Sequence, residues 1–261
     1  MTHTTYGMSE ALGEILIIAL VVTVAVVLHA LWQRRFRSEM LRKHNDVAGF
    51  LFSAVGVIYA VVLGFIVVVV WEKYDATVST VDTEIAAVSD LYRVAGGLAE
   101  PTRSLVRRQL TSYANGVVQT EWPQMSQRVN VPKDLNLLED LAHEINTYKP
   151  RNSGDADVQQ AAMTQVERLF DARRLRLIQD APSVPFVLWA ALVAGALAML
   201  SFAFLFGVEN RSAQLVMTAI LAGLIAILFI VISEFDSPFD GSVRISDDGW
   251  ILLLQHLPNI P

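Results

Sequence analysis

Residues 49–71 read GFLFSAVGVIYAVVLGFIVVVVW and contain no charged side chain over 23 residues. About 20 consecutive apolar residues are enough to cross a bilayer as a helix, so this stretch predicts a transmembrane helix. Gly56, Ala60 and Gly64 are spaced four residues apart and therefore share one face of that helix. Small residues at this spacing let a second helix approach closely in lipid, which indicates the packed centre of a membrane assembly.

Three further apolar runs, at residues 12–33, 184–207 and 213–233, are close to the spanning length. Charged residues make up 18% of the 261-residue chain, below the roughly 25% that is usual for soluble domains. The sequence therefore predicts an all-α integral membrane protein with four transmembrane helices. A helical extramembrane domain at residues 72–182 separates helices two and three, and an acidic tail follows at residues 234–261.

The polar middle segment has a helical pattern. Apolar residues at a 3-4-3-4-3 spacing predict a coiled-coil-like seam that continues helix two beyond the membrane, through Val78, Val81, Ile85, Val88, Tyr92 and Ala95. Gly96, Gly97 and Pro101 end this seam, and a second one follows at Val106, Leu110, Tyr113 and Val117. Residues 149–157, KPRNSGDAD, predict a loop, and residues 158–179 predict an amphipathic helix that leads back to the membrane.

The predicted spans carry no Asp, Glu, Lys or Arg near their midpoints. Four ionisable residues fall near the span ends, where we expect them to reach water or headgroups: Glu14, His29, Glu72 and Glu234. Charge buried in lipid is costly and usually functional, so this distribution argues against a proton pump, a voltage sensor or a cation-coupled carrier. It permits a passive channel gated by dewetting, and equally permits no transport.

Catalytic and nucleic-acid-binding signatures are missing from the sequence. Residues 143–147, HEINT, depart from the HExxH zinc signature because Thr147 replaces the second histidine. There is no cysteine, no Gly-rich phosphate loop and no GxSxG elbow, so we predict that the protein is not an enzyme and has no cofactor. The net charge of −6 argues against a nucleic-acid partner.

Basic residues bear on the orientation. The loop at residues 34–48 contains five of them, and the positive-inside rule places it in the cytoplasm of a bacterial-type inner (plasma) membrane: Arg34, Arg35, Arg37, Arg42 and Lys43. Four arginines near helix three oppose this orientation, so the side of the middle domain stays open: Arg168, Arg173, Arg174 and Arg176. These four predict a solvated face paired with acids such as Glu167 and Asp171, or alternatively a vestibule that concentrates anions.

The tail opens with SEFDSPFDGSVRISDDG at residues 233–249. This composition predicts a solvated turn that ends helix four. The alternative is a calcium site on Glu234, Asp236 and Asp240, since carboxylates suit that ion, although the EF-hand spacing is absent. Residues 251–257 predict a short amphipathic piece at the membrane surface.

Several strings resemble an uncharacterised family of membrane proteins called bestrophin-like. The main one is HNDVAGFLFSAVGVIYAVVLGFIVVVVWEKYD at residues 44–75, and later ones are EIAAVSDLYRVAG, the Tyr-x8-Trp-Pro run of residues 113–123, LFGVENR and FDSPFDGSV. The resemblance covers residues 44–243 and implies a distant analogy to bestrophin anion channels. Those channels are homo-oligomers with four membrane helices per subunit and helix two around the pore.

The resemblance also implies features that this sequence matches only in part. Bestrophins carry an acidic calcium clasp just after the last membrane helix, where Glu234, Asp236 and Asp240 stand here without the dense acidic run. Bestrophins keep the middle domain in the cytoplasm, whereas the short basic loop of residues 34–48 favours the opposite side.

Two functions follow from these patterns. The first is a homo-oligomeric ion channel, permeable to anions such as chloride, with helix two lining a central pore. The second is a non-conducting membrane sensor or scaffold whose coiled-coil-like domain binds a partner. In either, the expected partners are membrane lipids and further copies of the chain, and in the first also inorganic ions. We predict pore-lining or helix-packing positions at Asn45, Gly49, Ser53, Gly56, Tyr59, Ala60, Gly64 and Glu72.

Overall fold

The computed structural model describes residues 3–35, 45–129, 136–208 and 210–260, with side chains described from residue 11 onward. The helices in these ranges are α1 (His3–Arg35), α2 (Asn45–Ala95), α3 (Thr102–Gly116), α4 (Trp122–Ser126), α5 (Asn136–Thr147), α6 (Ser153–Gln179), α7 (Phe186–Leu205), α8 (Arg211–Asp236) and α9 (Asp248–His256). A π-helical turn, Val117–Glu121, joins α3 to α4, and a 3₁₀ turn, Leu257–Asn259, follows α9. The described ranges contain no strand, which confirms the all-α class.

Four helices are long and apolar enough to cross a membrane, as the sequence predicted. They are Ala11–Arg35 within α1, a window within the 51 residues of α2, the 20 residues of α7 and the 26 residues of α8. Most of the predicted cytoplasmic loop, including Arg37, Arg42 and Lys43, lies outside the described residues.

The chain divides into two compact units, and the first contains the predicted spans. It comprises Met1–Lys73 and Pro182–Asp236. Helix α1 packs along α8, and α7 packs against both. Helix α2 packs against α7 and α8 through side chains on one face, which belong to two apolar clusters. Leu63, Ile66 and Val70 belong to the first cluster, which also contains Val184. Phe52 and Val55 belong to the second, and Tyr59 packs against both.

The second unit comprises Tyr74–Ala181 and Ser237–Pro261 and has the larger core. Both predicted seams lie in that core. Val81, Val88 and Ala95 are fully buried and their seam partners pack against them, while all four residues of the second seam are buried. The coiled-coil-like pattern of α2 is therefore satisfied by this chain's own helices.

Helix α6 begins at Ser153, inside the stretch that the sequence predicted as a loop. The side chain of Asn152 accepts a hydrogen bond from Asp155 N (2.9 Å) and caps the first turn. The negative charge of Asp155 in that turn is stabilised by the positive end of the helix dipole. Asp155 also pairs with Arg151 at 2.6 Å. These capping contacts outweigh the turn-forming composition of residues 153–157, so the loop prediction was wrong there.

From Ser237 onward the tail is a structural part of the second unit. Trp250, Leu253 and Leu257 are buried in its core, and the indole nitrogen of Trp122 donates to Ile245 O at 3.3 Å. The apolar face that suggested a membrane-surface piece at residues 251–257 is instead covered by protein. Periodicity shows that a helix has an apolar face but does not show what covers it.

Candidate functional site

One stripe of α2 is exposed along the apolar part of this helix, from Ser53 to Trp71. Positions at helical spacing form it, and all are exposed: Ser53, Val57, Ala60, Gly64, Val68 and Trp71. A Cβ added at Gly64 would have no atom of the described residues outside its own helical turn within 4 Å. Small residues at Ser53, Ala60 and Gly64 leave this stripe open to close approach by another helix.

The opposite side of α2 packs inside the chain. The hydroxyl of Tyr59 donates to Leu192 O on α7 at 3.1 Å, and the Tyr59 ring lies directly over Gly195. A Cβ at Gly56 would lie 3.3 Å from the Cε of Met199. The predicted small-residue ridge is thus divided, with Gly56 packed and Ala60 and Gly64 open. The reason is geometric, since residues four apart on a 3.6-residue helix turn about 40° at each step.

Two predicted residues at the start of α2 contact the turn between α7 and α8. Asn45 Nδ2 donates to Gly207 O at 2.8 Å, and Gly207 N donates to Asn45 Oδ1 at 3.0 Å. A Cβ at Gly49 would lie 3.8 Å from the Phe206 ring. Among the remaining predicted positions, Ser53 donates to Gly49 O within its own helix at 2.9 Å, and Glu72 is exposed.

The three acidic residues of the predicted calcium site have separate surroundings. Asp236 is buried, and its Oδ1 accepts from Ser183 N (2.7 Å), Ser183 Oγ (2.8 Å) and Val184 N (3.1 Å). In the second unit, Asp240 pairs with Arg128 at 2.8 Å. Glu234 is partly buried near the end of α8. In the described part of the chain no group of three or more His, Cys, Asp or Glu side chains is placed to hold a metal ion.

Asp236→Ala is expected to lower the free energy of unfolding by about 1–3 kcal/mol, because the buried N–H of Val184 and two donors of Ser183 lose their acceptor. Asp236→Asn keeps an oxygen at Oδ1 and should lose less. The measurement is the apparent unfolding temperature of the purified protein, with EDTA and with added CaCl₂. A calcium-induced rise that Asp236→Asn abolishes would support the predicted calcium site. Equal losses in the two variants would contradict the role of Asp236 Oδ1 as acceptor for Ser183 and Val184.

A charged network occupies the interior of the second unit. Arg176 binds Glu84 in a bidentate pair, with Nε to Oε2 at 2.6 Å and Nη2 to Oε1 at 3.0 Å, and both side chains are 0% exposed. Arg176 Nη2 also contacts Glu121 Oε2 at 2.6 Å, and Arg173 Nη2 contacts Glu121 Oε1 at 2.8 Å. Tyr113 donates its hydroxyl proton to Glu84. The two carboxylates and two guanidiniums balance each other.

The protonation states of this network follow from its geometry. Burial acts to lower the pKa of Arg176, but the Glu84 carboxylate outweighs it and holds that pKa above its ordinary value. Burial likewise acts to raise the pKa of Glu121, yet Arg176 and Arg173 hold it below its ordinary value. Burial, together with the charge of Glu84, raises the pKa of Tyr113 well above its ordinary value, so its hydroxyl remains a donor.

A second buried network joins membrane helices of the first unit. His29 of α1 is 0% exposed, and its Nδ1 lies 2.6 Å from Thr218 Oγ1 of α8. Gln33 Nε2 lies 3.4 Å from His29 Nε2 and 3.0 Å from Gln214 Oε1. The Gln214 amide in turn donates to Phe206 O. The Phe204 ring lies against the imidazole, with ring centroids 4.6 Å apart.

Both networks differ from what the sequence predicted. Arg173 and Arg176 are buried and pair with Glu121 and Glu84, not with Glu167 and Asp171 on a solvated face. His29 is fully enclosed by protein, so its expected contact with water or headgroups was wrong. The signal for His29 was the i, i+4 spacing of two polar side chains, His29 and Gln33, on a helix otherwise rich in aliphatic residues.

The family model described as the Bestrophin-like domain matches residues 18–249. A crystal structure of a bacterial bestrophin homologue from Klebsiella pneumoniae carrying one substitution aligns with a TM-score of 0.69 at 13% identity, covering 93% of this chain and 98% of that one. Another variant of that homologue aligns with a TM-score of 0.66 at 14% identity, covering 96% and 98%.

A third crystal structure, described as a membrane protein, aligns with a TM-score of 0.70 at 15% identity, covering 94% of this chain and 97% of that chain. The curated proteins contain no match to this sequence. The structural likeness establishes a shared fold over nearly the whole chain.

Proposed function

This chain belongs to the bestrophin-like family, and we propose on that basis that it forms a homo-oligomeric ion channel whose central pore is surrounded by α2. The observation that carries the proposal is the exposed stripe of α2 from Ser53 to Trp71, which combines apolar and small residues. Four spans are too few to enclose a water-filled pore within one copy, so several copies are required. The small residues at Ala60 and Gly64 are suited to close approach of neighbouring helices.

Chloride is the ion that the family resemblance implies. No charged side chain interrupts the stripe between Ser53 and Trp71, so an ion crossing it would meet apolar and small groups. Hydrophobic constrictions of this kind gate by dewetting. We place the channel in a bacterial-type inner membrane with residues 34–48 on the cytoplasmic side.

A cation-permeable channel is the second candidate, and a specific observation favours it. Asp46 lies on the same stripe, two helical turns before Ser53, and is exposed. Glu72, next to Trp71, is exposed at the other end of the apolar part. In a symmetric oligomer each would form a ring of carboxylates, and such rings concentrate cations.

A scaffold that binds a partner through the coiled-coil-like seam is disfavoured. The seam residues of α2 are buried in, or packed against, the core of the second unit, so they are already covered. A partner would have to displace this chain's own helices. Recovery of a stable partner by crosslinking, with no ionic current from intact oligomers, would restore this alternative.

The channel is tested with purified protein in liposomes, with its oligomeric state measured by mass photometry. We expect a cyclic oligomer that passes current, and the reversal potential in a KCl gradient separates chloride from potassium permeation. Verified oligomers that conduct neither ion would contradict the proposal.

Whether the stripe faces the pore is tested by cysteine modification. The chain has no cysteine of its own, so the reagent reacts only with the introduced thiol. Gly64→Cys should lose most of its ion flux after reaction with a charged methanethiosulfonate, because the adduct would occupy the pore. The matched control is Ile58→Cys, which is also exposed on α2 but lies on a different face. Equal block of both variants, or of neither, would contradict α2 lining the pore through this stripe.

A further inference from the structure

We propose that His29 is a protonation-sensitive position that controls the contact between the α7–α8 turn and the start of α2. The inference rests on the hydrogen-bonded series that runs from His29 through Gln33 and Gln214 to the turn. All of these residues belong to the first unit. That α2 surrounds a pore belongs to the proposed function, whereas the coupling to the start of α2 does not depend on conduction.

The hydrogen-bond directions specify a neutral imidazole. The Thr218 hydroxyl donates to Gln214 O at 3.1 Å, so Thr218 Oγ1 accepts from His29 Nδ1–H. The two protons on Gln33 Nε2 point to His29 Nε2 and to Gln214 Oε1. His29 Nε2 is therefore the acceptor, and the ring carries its single proton on Nδ1.

Protonation of Nε2 would break this pattern. The new N–H would face the amide nitrogen of Gln33, leaving two donors against each other in a buried site. Rotation of the Gln33 amide would relieve the conflict by presenting its oxygen to the imidazolium. The same rotation would remove the donor from Gln214 Oε1, because Gln33 has only one NH₂ group.

Gln214 connects this change to the turn. Its amide nitrogen donates to Phe206 O, and the next residue, Gly207, is bound on both backbone groups by the Asn45 side chain. Reorientation of Gln214 would release Phe206 O and so shift the backbone at Gly207, to which the Asn45 side chain is hydrogen-bonded. Asn45 is the first residue of α2, so the effect reaches the beginning of that helix.

In the described part of the chain the imidazole has hydrogen-bond partners in Thr218 and Gln33, and the Phe204 ring lies against it. Charged residues on the surrounding elements include Arg34 and Arg35 of α1, Arg211 of α8 and Asp46 of α2 at the end that carries the turn, with Glu14, Glu72 and Glu234 farther along the same three helices. Among the described residues, no hydrogen bond or ion pair joins any of these groups to the imidazole. His44 precedes Asn45 in the chain, lies outside the described residues and serves as the control histidine.

The test uses the full-length protein in nanodiscs with one introduced cysteine that carries an environment-sensitive fluorophore. Leu205→Cys, 40% exposed, reports on the turn, and Val47→Cys, 65% exposed, reports on the start of α2. Between about pH 8 and about pH 5, the range in which histidine titrates, we expect a sigmoidal emission change at both labels. His29→Gln should abolish both changes, while His44→Gln should retain them.

Two further variants test the order in which the hydrogen-bonded residues transmit the pH response. Gln33→Leu keeps His29 but should remove both responses, and Asn45→Ala should remove the response at Val47→Cys while retaining it at Leu205→Cys. If these side chains had a purely structural role, their substitution would change stability but would not remove the pH response at one labelled position and retain it at the other. Variants are compared only where size-exclusion chromatography gives one monodisperse peak, and Gln33→Leu decides if His29→Gln does not fold.

The inference is overturned by any of three results: no pH response in the parent labelled chains, a response that persists in His29→Gln or Gln33→Leu, or a response lost in His44→Gln with His29 intact. None of these readouts requires ion flux. Absence of current from the oligomer would therefore contradict the proposed function and leave this inference standing on its own data.

Discussion

Arg176→Met is expected to lower the free energy of unfolding of the second unit by about 3–5 kcal/mol, the usual cost of removing one partner from a buried ion pair. The substitution leaves the Glu84 carboxylate 0% exposed, with the Tyr113 hydroxyl as its remaining partner among the described residues. Glu121 keeps Arg173 but loses its second guanidinium. Methionine fills much of the volume, so lost packing contributes little to the effect.

The measurement is the apparent unfolding temperature in mild detergent. A change of this size corresponds to a fall of about 6–20 °C in a chain of this length. Arg174→Met is the matched control, because Arg174 lies on the same helix and is exposed. The double variant Arg176→Met with Glu84→Gln should recover part of the loss, since no uncompensated carboxylate remains. Equal small effects of Arg176→Met and Arg174→Met would contradict the structural role of the network.

Gly195→Val is expected to disrupt packing between α2 and α7 in the first unit. A Cβ at this position would lie 2.4 and 2.5 Å from two ring carbons of Tyr59, closer than unbonded carbon atoms approach. The ring is held in place because its hydroxyl donates to Leu192 O at 3.1 Å. Overpacking of this kind costs about 1–3 kcal/mol for added methylene groups, and valine adds more than one.

The expected result is loss of the single monodisperse peak in size-exclusion chromatography or a fall in the unfolding temperature. Gly13→Val is the control, because a Cβ at Gly13 would have no neighbour within 4 Å among the residues that the structure describes. Tyr59→Ala combined with Gly195→Val should restore much of the loss, since the smaller side chain vacates the space. A Gly195→Val protein as stable as the Gly13→Val control would show that α2 and α7 do not pack through Tyr59.

The candidate site was predictable in part. The sequence predicted α2 as a spanning helix and singled out Asn45, Tyr59 and Gly56, which the structure places in contacts with α7 or the turn that follows it. It did not show that Gly56 faces inward while Gly64 faces outward, because that depends on the rotation of α2 against its neighbours. Whether the stripe lines a pore is tested by the flux and cysteine experiments.

Helical class, the four spans and the two seams followed from the sequence alone, because apolar run length and the 3.6-residue period are local properties of the chain. Tertiary structure decided which partners the polar residues meet. Glu84 and Arg176 are 92 positions apart, and His29 and Thr218 are 189 apart. Whether a charge is solvated or buried against its opposite depends on such distant contacts, and no local pattern records them.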